Sequence, residues 1–299
     1  MSPPGLSMLA IVGIILVIVM VFGGYFLAGG KFGIILKALP FELMMIGGSA
    51  SGTFLIANKG DVVKGALADM KRVFSGAHWR QEDYRDLLSL MFLIVRLLKT
   101  KGPLALEPHV ERPQESALFG RFPKIAADHF ALDFIADTLR MMTMSMDDPY
   151  QVEECMQRQL RKHHAELHAR AAAIQSVADS MPALGIVAAV LGVVKTMGSV
   201  DQPVTILGGM IGGALVGTFL GVYLAYGFIG PIAAKMNQTY EEDAQFYAII
   251  RDCLVSYLHG HPAPVVVELA RGNVPTIMQP SFHELDEVLG ALPNDPLAA

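Results

Sequence analysis

Few side chains in the apolar segments of this chain could bind a cation or take up and release a proton. A proton or cation that crosses a membrane usually needs an ionisable group inside it, yet the centres of the long apolar segments contain no Asp or Glu. Glu42 falls near the start of the second segment, close to its outer end. Hydroxyl groups can line a wet path but cannot take up and release a proton at neutral pH. The hydroxyl groups in the apolar segments are those of Ser49, Ser51, Thr53, Thr218, Tyr223 and Tyr226. Either the chain moves no ions, or a partner supplies the carboxylate.

The polar segments hold no recognisable catalytic or metal-binding motif. His164 and His168, in a run that also contains His163, lie one helical turn apart, but the order is not HExxH and no further ligand is near in sequence. We predict a solvated helix face there and no metal site. Cys155 and Cys253 suggest neither a disulfide framework nor a metal site. Without a nucleophile elbow, a phosphate-binding glycine loop or a CxxC motif, an enzyme or a bound cofactor has no support.

The composition is that of a membrane protein. Of 299 residues, 53% are hydrophobic and 17% are charged, whereas charged residues make up about 25% of a typical soluble domain. The apolar residues form four blocks near the length of a membrane span, at residues 6–27, 34–57, 182–197 and 206–232. A cleaved signal peptide would need a basic start and a shorter apolar core, and no Lys or Arg precedes Lys31. The net charge of -5 gives no sign of nucleic-acid binding.

The Lys and Arg distribution predicts the orientation of the four spans. Basic residues favour the cytoplasmic side, and they cluster after span two, before span three and after span four: Lys59, Lys64, Lys71, Arg72, Arg80, Arg161, Lys162, Arg170 and Lys235. The opposite side has only Lys31, Lys37 and Lys195. We therefore expect a multi-pass protein of the bacterial inner membrane whose 2–3 loop and both termini are cytoplasmic. Its segments are a hairpin (1–57), a helical loop (58–181), a second hairpin (182–232) and a helical tail (233–299).

The polar regions also read as helical, so the predicted fold is an all-α membrane protein with a large helical cytoplasmic domain formed by the 2–3 loop and the C-terminal tail. Residues 87–98 are apolar, but the segment is too short to span and contains Arg96, so we predict a buried cytoplasmic helix. We expect one helix over 115–144 and another from Tyr150 toward Pro182. The residues after Pro231 read as an amphipathic continuation of span four, and the last nine residues look unstructured.

Glycine spacing is the strongest packing signal. Gly209, Gly213, Gly217 and Gly221 recur every four residues in span four, which places a smooth stripe on one helix face where another backbone can approach closely. The stripe could serve packing within one subunit, but its length favours packing between subunits or against a partner. Pro182 and Pro231 mark the cytoplasmic ends of spans three and four. Each could simply mark a helix boundary or act as a hinge.

Several segments together resemble the MotA family of flagellar stator proteins, of the MotA/TolQ/ExbB superfamily. They are VFGGYFLAGG, PFELMMIGG, SMPALGIVAAVLGVV, ALVGTFLGVYLAYGFIGPIA, PVVVELARG and PSFHELDE. The resemblance covers residues 8–288 and agrees in order, spacing and loop length, most closely with the long, proton-using branch. It implies a flagellar motor subunit for chemotaxis and motility. Five copies would form a ring around the single spans of two MotB-like, peptidoglycan-binding subunits, which carry the ion-binding aspartate. The ring would push on the rotor protein FliG.

The resemblance also implies roles for particular residues. Pro182 and Pro231 match the family's hinge prolines, and Thr218 and Tyr226 match a threonine and a tyrosine on the ion path. The rotor contact in the family uses a basic and an acidic residue. The acid matches Glu107, while the basic position matches Lys99, with Lys101 as a substitute.

The same comparison bears on the ion. Sodium needs several oxygen ligands, and sodium-using relatives have a second threonine in span three. The matching position here is Ala189, so the expected transported ion is H+. The alternatives are a TolQ/ExbB-like energiser of outer-membrane processes, which would have fewer spans, and a membrane scaffold that conducts nothing.

Overall fold

The computed structural model describes residues 5–74 and 78–293, and all regular secondary structure in these two ranges is helical. The described residues up to 74 form one compact unit with residues 166–240, and residues 78–165 form another with 241–293. Four helices are long and apolar enough to cross a membrane, at Leu9–Leu27, Phe32–Ala57, Pro149–Met197 and Val204–Leu258. The prediction of four membrane spans is thereby confirmed.

The helices in chain order are α1 (Gly5–Ile18), α2 (Gly24–Leu27), α3 (Phe32–Ala57), α4 (Gly60–Asp69), α5 (Gln81–Lys101), α6 (Glu107–Glu111), α7 (Ala117–Gly120), α8 (Pro123–Ala127), α9 (His129–Thr143), α10 (Pro149–Met197), α11 (Val204–Leu224), α12 (Gly230–Leu258), α13 (Ala263–Gly272) and α14 (Phe282–Gly290). Wider π-helical turns join α1 to α2 (Val19–Gly23) and α11 to α12 (Ala225–Ile229). Short 3₁₀ turns lie at Met70–Phe74, Pro103–Leu106 and Pro113–Glu115.

The first unit contains the membrane hairpins. Gly29 has φ +80, a conformation that residues with a Cβ rarely adopt, so glycine permits the tight turn between spans one and two. Beyond that turn, α3 packs along α11. A buried apolar cluster joins spans two, three and four at Ile46, Ala50, Met181, Ala188, Leu220 and Ala225. The outward faces of the spans carry many exposed large apolar side chains, as lipid contact requires.

A second cluster closes the first unit beyond the end of span two. It includes Phe54, Ala66, Ile174, Met236 and Tyr240. Beside it, the buried carboxylate of Asp69 accepts hydrogen bonds from Arg170 at 2.9 Å and from the Tyr240 hydroxyl at 2.8 Å. Because buried charges are stable only when paired and hydrogen-bonded, this triad fixes α4 against α10 and α12.

The second unit is built around α5. Most of its residues between 87 and 98 are fully buried, Arg96 is half-buried, and the helix is not among the four candidate spans. The prediction of a buried helix rather than a span is confirmed. The Trp79 ring stacks on Phe246 with centroids 3.7 Å apart, and Lys124 pairs with the buried Asp83 carboxylate. Through these contacts, Trp79 and Asp83 pack against residues from much later in the chain and share one core with them.

The helix predicted over 115–144 is wrong in its continuity. The chain forms three helices there, α7, α8 and α9, because caps and a proline interrupt it. The Ser116 hydroxyl accepts from two backbone N–H groups at the start of α7, and Pro123 begins α8. Asp128 accepts from the Ala131 N–H at the start of α9, at 2.8 Å. Each device satisfies N–H groups that a continuous helix would bond internally. By contrast, the helix predicted from Tyr150 toward Pro182 is continuous, and α10 runs on past that proline to Met197.

Candidate functional site

Spans three and four touch at Ala188 and Gly217. A Cβ placed on Gly217 would lie 3.3 Å from the Ala188 Cβ, so the two backbones approach closely at this level. Thr218 and Ala189 follow these contact residues, and both are half-buried. The predicted ion-path hydroxyl and the predicted methyl position thus each lie next to a residue of this close contact.

Glu42 is buried in the first half of α3. It is ten residues beyond Phe32, about 15 Å along the axis at 1.5 Å per residue. Its side chain points at span four, since a Cβ on Gly217 would lie 2.5 Å from Oε2. Glu42 is 5% exposed. That this acid lies close to the outer end of span two stays a prediction.

A cavity of about 760 Å³ lies between spans two, three and four, on the side of Glu42 that is nearer the short turns. Its basic lining residues, Lys31, Lys37 and Lys195, lie toward the short turns that join the spans of each hairpin. Glu42 lines it farther inside. The cavity thus connects the turn side of the membrane unit with its only acidic lining residue.

The two tyrosines of span four have different environments. Tyr226 lies in the π-helical turn and is 70% exposed. It is eight residues beyond Thr218, about 12 Å at helical rise, so the structure does not bring the two predicted ion-path residues together within one chain. Tyr223 packs among Phe22, Phe219 and Phe228, with ring centroids 5.2–5.4 Å away. Its buried hydroxyl has no hydrogen-bond partner among the described residues.

The glycine stripe has two parts with different surroundings. At Gly221, a Cβ would lie 2.6 Å from the Met181 carbonyl oxygen and 3.0 Å from the Gly185 Cα. At Gly209, no atom lies within 4 Å of an added Cβ, and at Gly213 the nearest is the Ala38 Cβ at 3.9 Å. Gly217 and Gly221 therefore serve packing within the subunit, whereas Gly209 and Gly213 stay open to the cavity.

The two candidate hinge prolines differ in their helical context. Pro182 lies inside α10 without breaking it, although proline removes a backbone hydrogen bond there and crowds the preceding turn. Pro231 is the second residue of α12, directly after the π-helical turn. The wider π-helical turn before Pro231 leaves space for the proline ring. Span four is therefore locally irregular at Pro231, where it is predicted to pivot.

The predicted rotor-contact residues lie at one end of α5 and just beyond it. The Lys99 ammonium donates to the Gly260 carbonyl oxygen at 3.0 Å and lies 5.2 Å from the centre of the Tyr257 ring. Lys101 is exposed in the last turn of α5, where a cation favours the helix dipole. Gly102 has φ +78 and turns the chain toward Glu107, which begins α6 and is exposed. Both lysines and the acid are thus surface groups of one unit, and Lys99 is held by the chain's own tail.

His109 follows that acid by two residues in α6. Burial lowers the pKa of His109, and its Nδ1 is 2.7 Å from the Ser116 hydroxyl. Burial therefore disfavours the imidazolium form of His109.

The absence of a further ligand near His164 and His168 in sequence does not hold in space, because ligand atoms of both histidines and of Glu241 lie within 4.8 Å of one another. His163, predicted on a solvated face, is half-buried. The His163 ring stacks on Phe130 with centroids 3.6 Å apart and lies edge-on to Tyr247. His164 Nε2 lies 3.3 Å from a Glu241 carboxylate oxygen. Sequence spacing placed these residues on a helix but did not show which aromatic side chains would cover them.

The comparisons with known proteins agree with this architecture. Residues 11–102 match the motility protein A N-terminal model, and residues 126–248 match the MotA/TolQ/ExbB proton channel family. The chain is 38% identical to motility protein A of Escherichia coli over 96% of its length and 97% of the relative. The chain belongs to the motility protein A family. Among other relatives, chemotaxis protein LafT of Vibrio parahaemolyticus is 30% identical over 93% of this chain and 96% of the relative.

Solved structures share the fold of this motility protein A family member. The C. jejuni MotAB structure matches with a TM-score of 0.70 at 19% identity, covering 89% of this chain and 95% of that one. The MotAB stator complex from Bacillus subtilis matches with a TM-score of 0.69 at 20% identity, covering 93% and 98%. The predicted all-α membrane fold is confirmed.

Family membership also confirms the functional class predicted from the resemblance. The chain is a multi-pass inner-membrane protein of a proton channel family and a flagellar stator protein, not an enzyme. The relatives that match nearly the whole chain are motility and chemotaxis proteins, and the N-terminal hairpin has its own motility protein A model. These matches separate it from a TolQ/ExbB-like energiser.

Sequence reasoning missed the Asp69, Arg170 and Tyr240 triad. One signal was available, because Gly65 lies one turn before Asp69 on α4. A Cβ there would lie 2.5 Å from Nε of Arg170, so the small residue makes room for the guanidinium. The partner residues come from segments 101 and 171 positions away, and spacing along the chain does not reveal such contacts.

Proposed function

We propose that this chain is the ring-forming subunit of a proton-driven flagellar stator, assembled with a MotB-like single-span subunit that binds peptidoglycan. The observation that carries the proposal is the 38% identity to a motility protein A over 96% of the chain. Similarity of this extent includes both hairpins and both polar regions, so it covers the membrane part and the torque-delivering part together.

The proposed ion is H+, and Thr218 lines its path. Support comes from Ala189, which offers only a methyl group at the span-three position where the resemblance implies a threonine in sodium-using relatives. Thr218 alone gives one hydroxyl oxygen, whereas a dehydrated sodium ion needs several oxygen ligands. A proton needs only a carboxylate and a hydrogen-bonded route. The MotB-like partner supplies the aspartate that takes the proton beside Thr218.

The proposed topology places residues 58–181 and 233–299 in the cytoplasm, with the hairpins 1–57 and 182–232 in the membrane. The Lys and Arg bias supports it, because the basic residues that flank spans two, three and four lie mainly in these two polar segments. The turns around Gly29 and Asp201 then face the periplasm.

Torque passes to FliG through the exposed charges at Lys99, Lys101 and Glu107. Exposed charge pairs are worth only about 0–1 kcal/mol each, but charge patterns steer and register a contact. Either lysine can pair with Glu107, and the Lys99 ammonium is held in place by the Gly260 carbonyl oxygen and the Tyr257 ring. Pro182 and Pro231, the latter next to a π-helical turn, are where the spans would pivot as the partner's aspartate changes charge.

The proposed oligomer is a ring of five copies around two partner spans. Support for neighbouring copies comes from the outward faces of the spans, where large apolar side chains such as Leu215 and Val222 are exposed in the single chain.

The test is complementation of an Escherichia coli strain that lacks its own motility protein A. The chain is expressed with its MotB-like partner, and swimming is scored in soft agar and by tethered-cell rotation. Restored rotation supports the stator proposal. A partner variant with the ion-binding aspartate changed to asparagine is the matched control and should assemble without rotation. Assembly without rotation in the unaltered pair, together with restored outer-membrane energisation in a strain lacking TolQ and ExbB, would overturn it.

A further inference from the structure

The most unusual group in the membrane unit is the carboxylate of Glu42. Carboxylates are expensive within the hydrocarbon region, and those present usually face a wet cavity or serve an ion path. Glu42 is 5% exposed, and its Oε2 has no hydrogen-bond partner among the described residues. A buried acceptor left unpaired is destabilising, so this oxygen needs a partner from outside the chain.

Water near Glu42 has a place in the adjoining cavity, which the Glu42 side chain lines. At about 760 Å³ it has room for roughly two dozen waters at about 30 Å³ each. The ionisable groups that line it are Lys31 before α3, Lys37 and Glu42 on α3, and Lys195 on α10, whereas the lining residues from α11 carry no ionisable group. Three lysines and one carboxylate in its walls favour water over lipid in the cavity.

The unpaired oxygen lies on the span-four side of Glu42. A Cβ on Gly217 would lie 2.5 Å from Oε2, so no side chain separates the carboxylate from span four there. Thr218 follows Gly217 in the chain. Glu42 thus lines the cavity and reaches span four one residue from Thr218.

We propose that Glu42 is a proton-binding site on this subunit, which takes protons from cavity water and passes them toward the Thr218 path. In the first step, hydronium in the cavity transfers its proton to the Glu42 carboxylate, giving a neutral carboxylic acid and water. In the second step, that acid releases the proton to water on the Thr218 side and returns to the carboxylate. The inference rests on the proposed stator function and adds a second protonatable group, upstream of the partner's aspartate.

The first experiment compares Glu42→Gln with Glu42→Asp in the assembled complex with its partner. Glutamine keeps the shape and hydrogen-bonding capacity but cannot carry a proton, whereas aspartate keeps the carboxyl group. Since a positioned proton acceptor is worth about 10²–10⁴-fold in general acid–base steps, we expect Glu42→Gln to lower proton flux by about tenfold or more. We expect Glu42→Asp to restore most of the flux. Copurification with the partner measures assembly separately. A Glu42→Gln complex that assembles and conducts like the unaltered one would overturn the proposal, because a purely structural hydrogen bond survives that change.

A second experiment needs no variant, in case Glu42→Gln fails to assemble. Dicyclohexylcarbodiimide, an apolar reagent, modifies protonated carboxyl groups within membranes. We expect mass spectrometry to find it on Glu42 of the unaltered complex in vesicles, with less labelling as the pH on the turn side rises. Absence of labelling at any pH would refute a protonatable Glu42. Labelling in a complex that never supports rotation would retain the proton site and reject the stator function.

Discussion

Replacing Gly221 by alanine should force spans three and four apart. On the structure, the new Cβ would lie 2.6 Å from the Met181 carbonyl oxygen and 3.0 Å from the Gly185 Cα. Carbon atoms pack best at about 3.5–4.0 Å, so the helices must separate locally by about 1 Å. Both opposing atoms belong to the backbone and cannot rotate away, so the strain falls on the helix pair.

The expected loss of stability follows from two opposing effects. Overpacking in a well-packed region destabilises by about 1–3 kcal/mol. Alanine is the better helix former by up to about 1 kcal/mol, which offsets part of this. The matched control is Gly209→Ala, where no atom lies within 4 Å of the new Cβ, so only the helix-propensity gain remains. The two variants should differ by about 1–3 kcal/mol.

The assay is thermal unfolding of the detergent-solubilised chain, followed by size-exclusion chromatography of the heated samples. We expect Gly221→Ala to lose its native peak at a lower temperature than the unaltered chain, and Gly209→Ala to keep it. Gly185→Ala should behave like Gly221→Ala, since its Cβ would meet the Gly217 carbonyl oxygen at 2.7 Å. Equal melting temperatures for Gly221→Ala and Gly209→Ala would refute the close backbone approach on which the packing argument depends.

Three further predictions test the ion path, the rotor contact and the topology. Thr218→Val should slow the motor, and Thr218→Ser should largely preserve its speed. Swimming speed at fixed pH and membrane potential should not respond to sodium. A steep, saturable sodium dependence would contradict proton coupling. Glu107→Lys should impair swimming without reducing membrane insertion or proton flux, and a charge reversal on FliG should restore part of the motility; unchanged swimming would remove Glu107 from the contact. Cysteine at Asp201 should react with an impermeant thiol reagent in intact cells while the native Cys155 should not, and labelling of Cys155 would reverse the topology. The other native thiol, on Cys253, is fully buried, and burial raises its pKa, so it should give no background signal.

The membrane spans were predictable because the physics behind them is local. A run of apolar residues near 20 long cannot be accommodated in water as a loop, and its backbone must bond within the helix once it enters lipid. The buried character of α5 followed similarly from a short apolar run interrupted by Arg96. The predicted 115–144 helix is interrupted by local features that outweigh helix propensity. The Ser116 and Asp128 side chains accept hydrogen bonds from backbone N–H groups, and Pro123 begins a new helix.

The sequence by itself determined the number of spans, the helical class, the glycine periodicity and, through the family resemblance, the kind of motor to which the chain belongs. Only the tertiary structure decided which glycines face the subunit's own backbone and which stay open. It also decided that the Glu42 side chain is buried against Gly217. Hydropathy is a property of a segment, whereas the burial and surroundings of one carboxylate depend on which neighbour lacks a side chain. Those facts arise only when distant segments pack together.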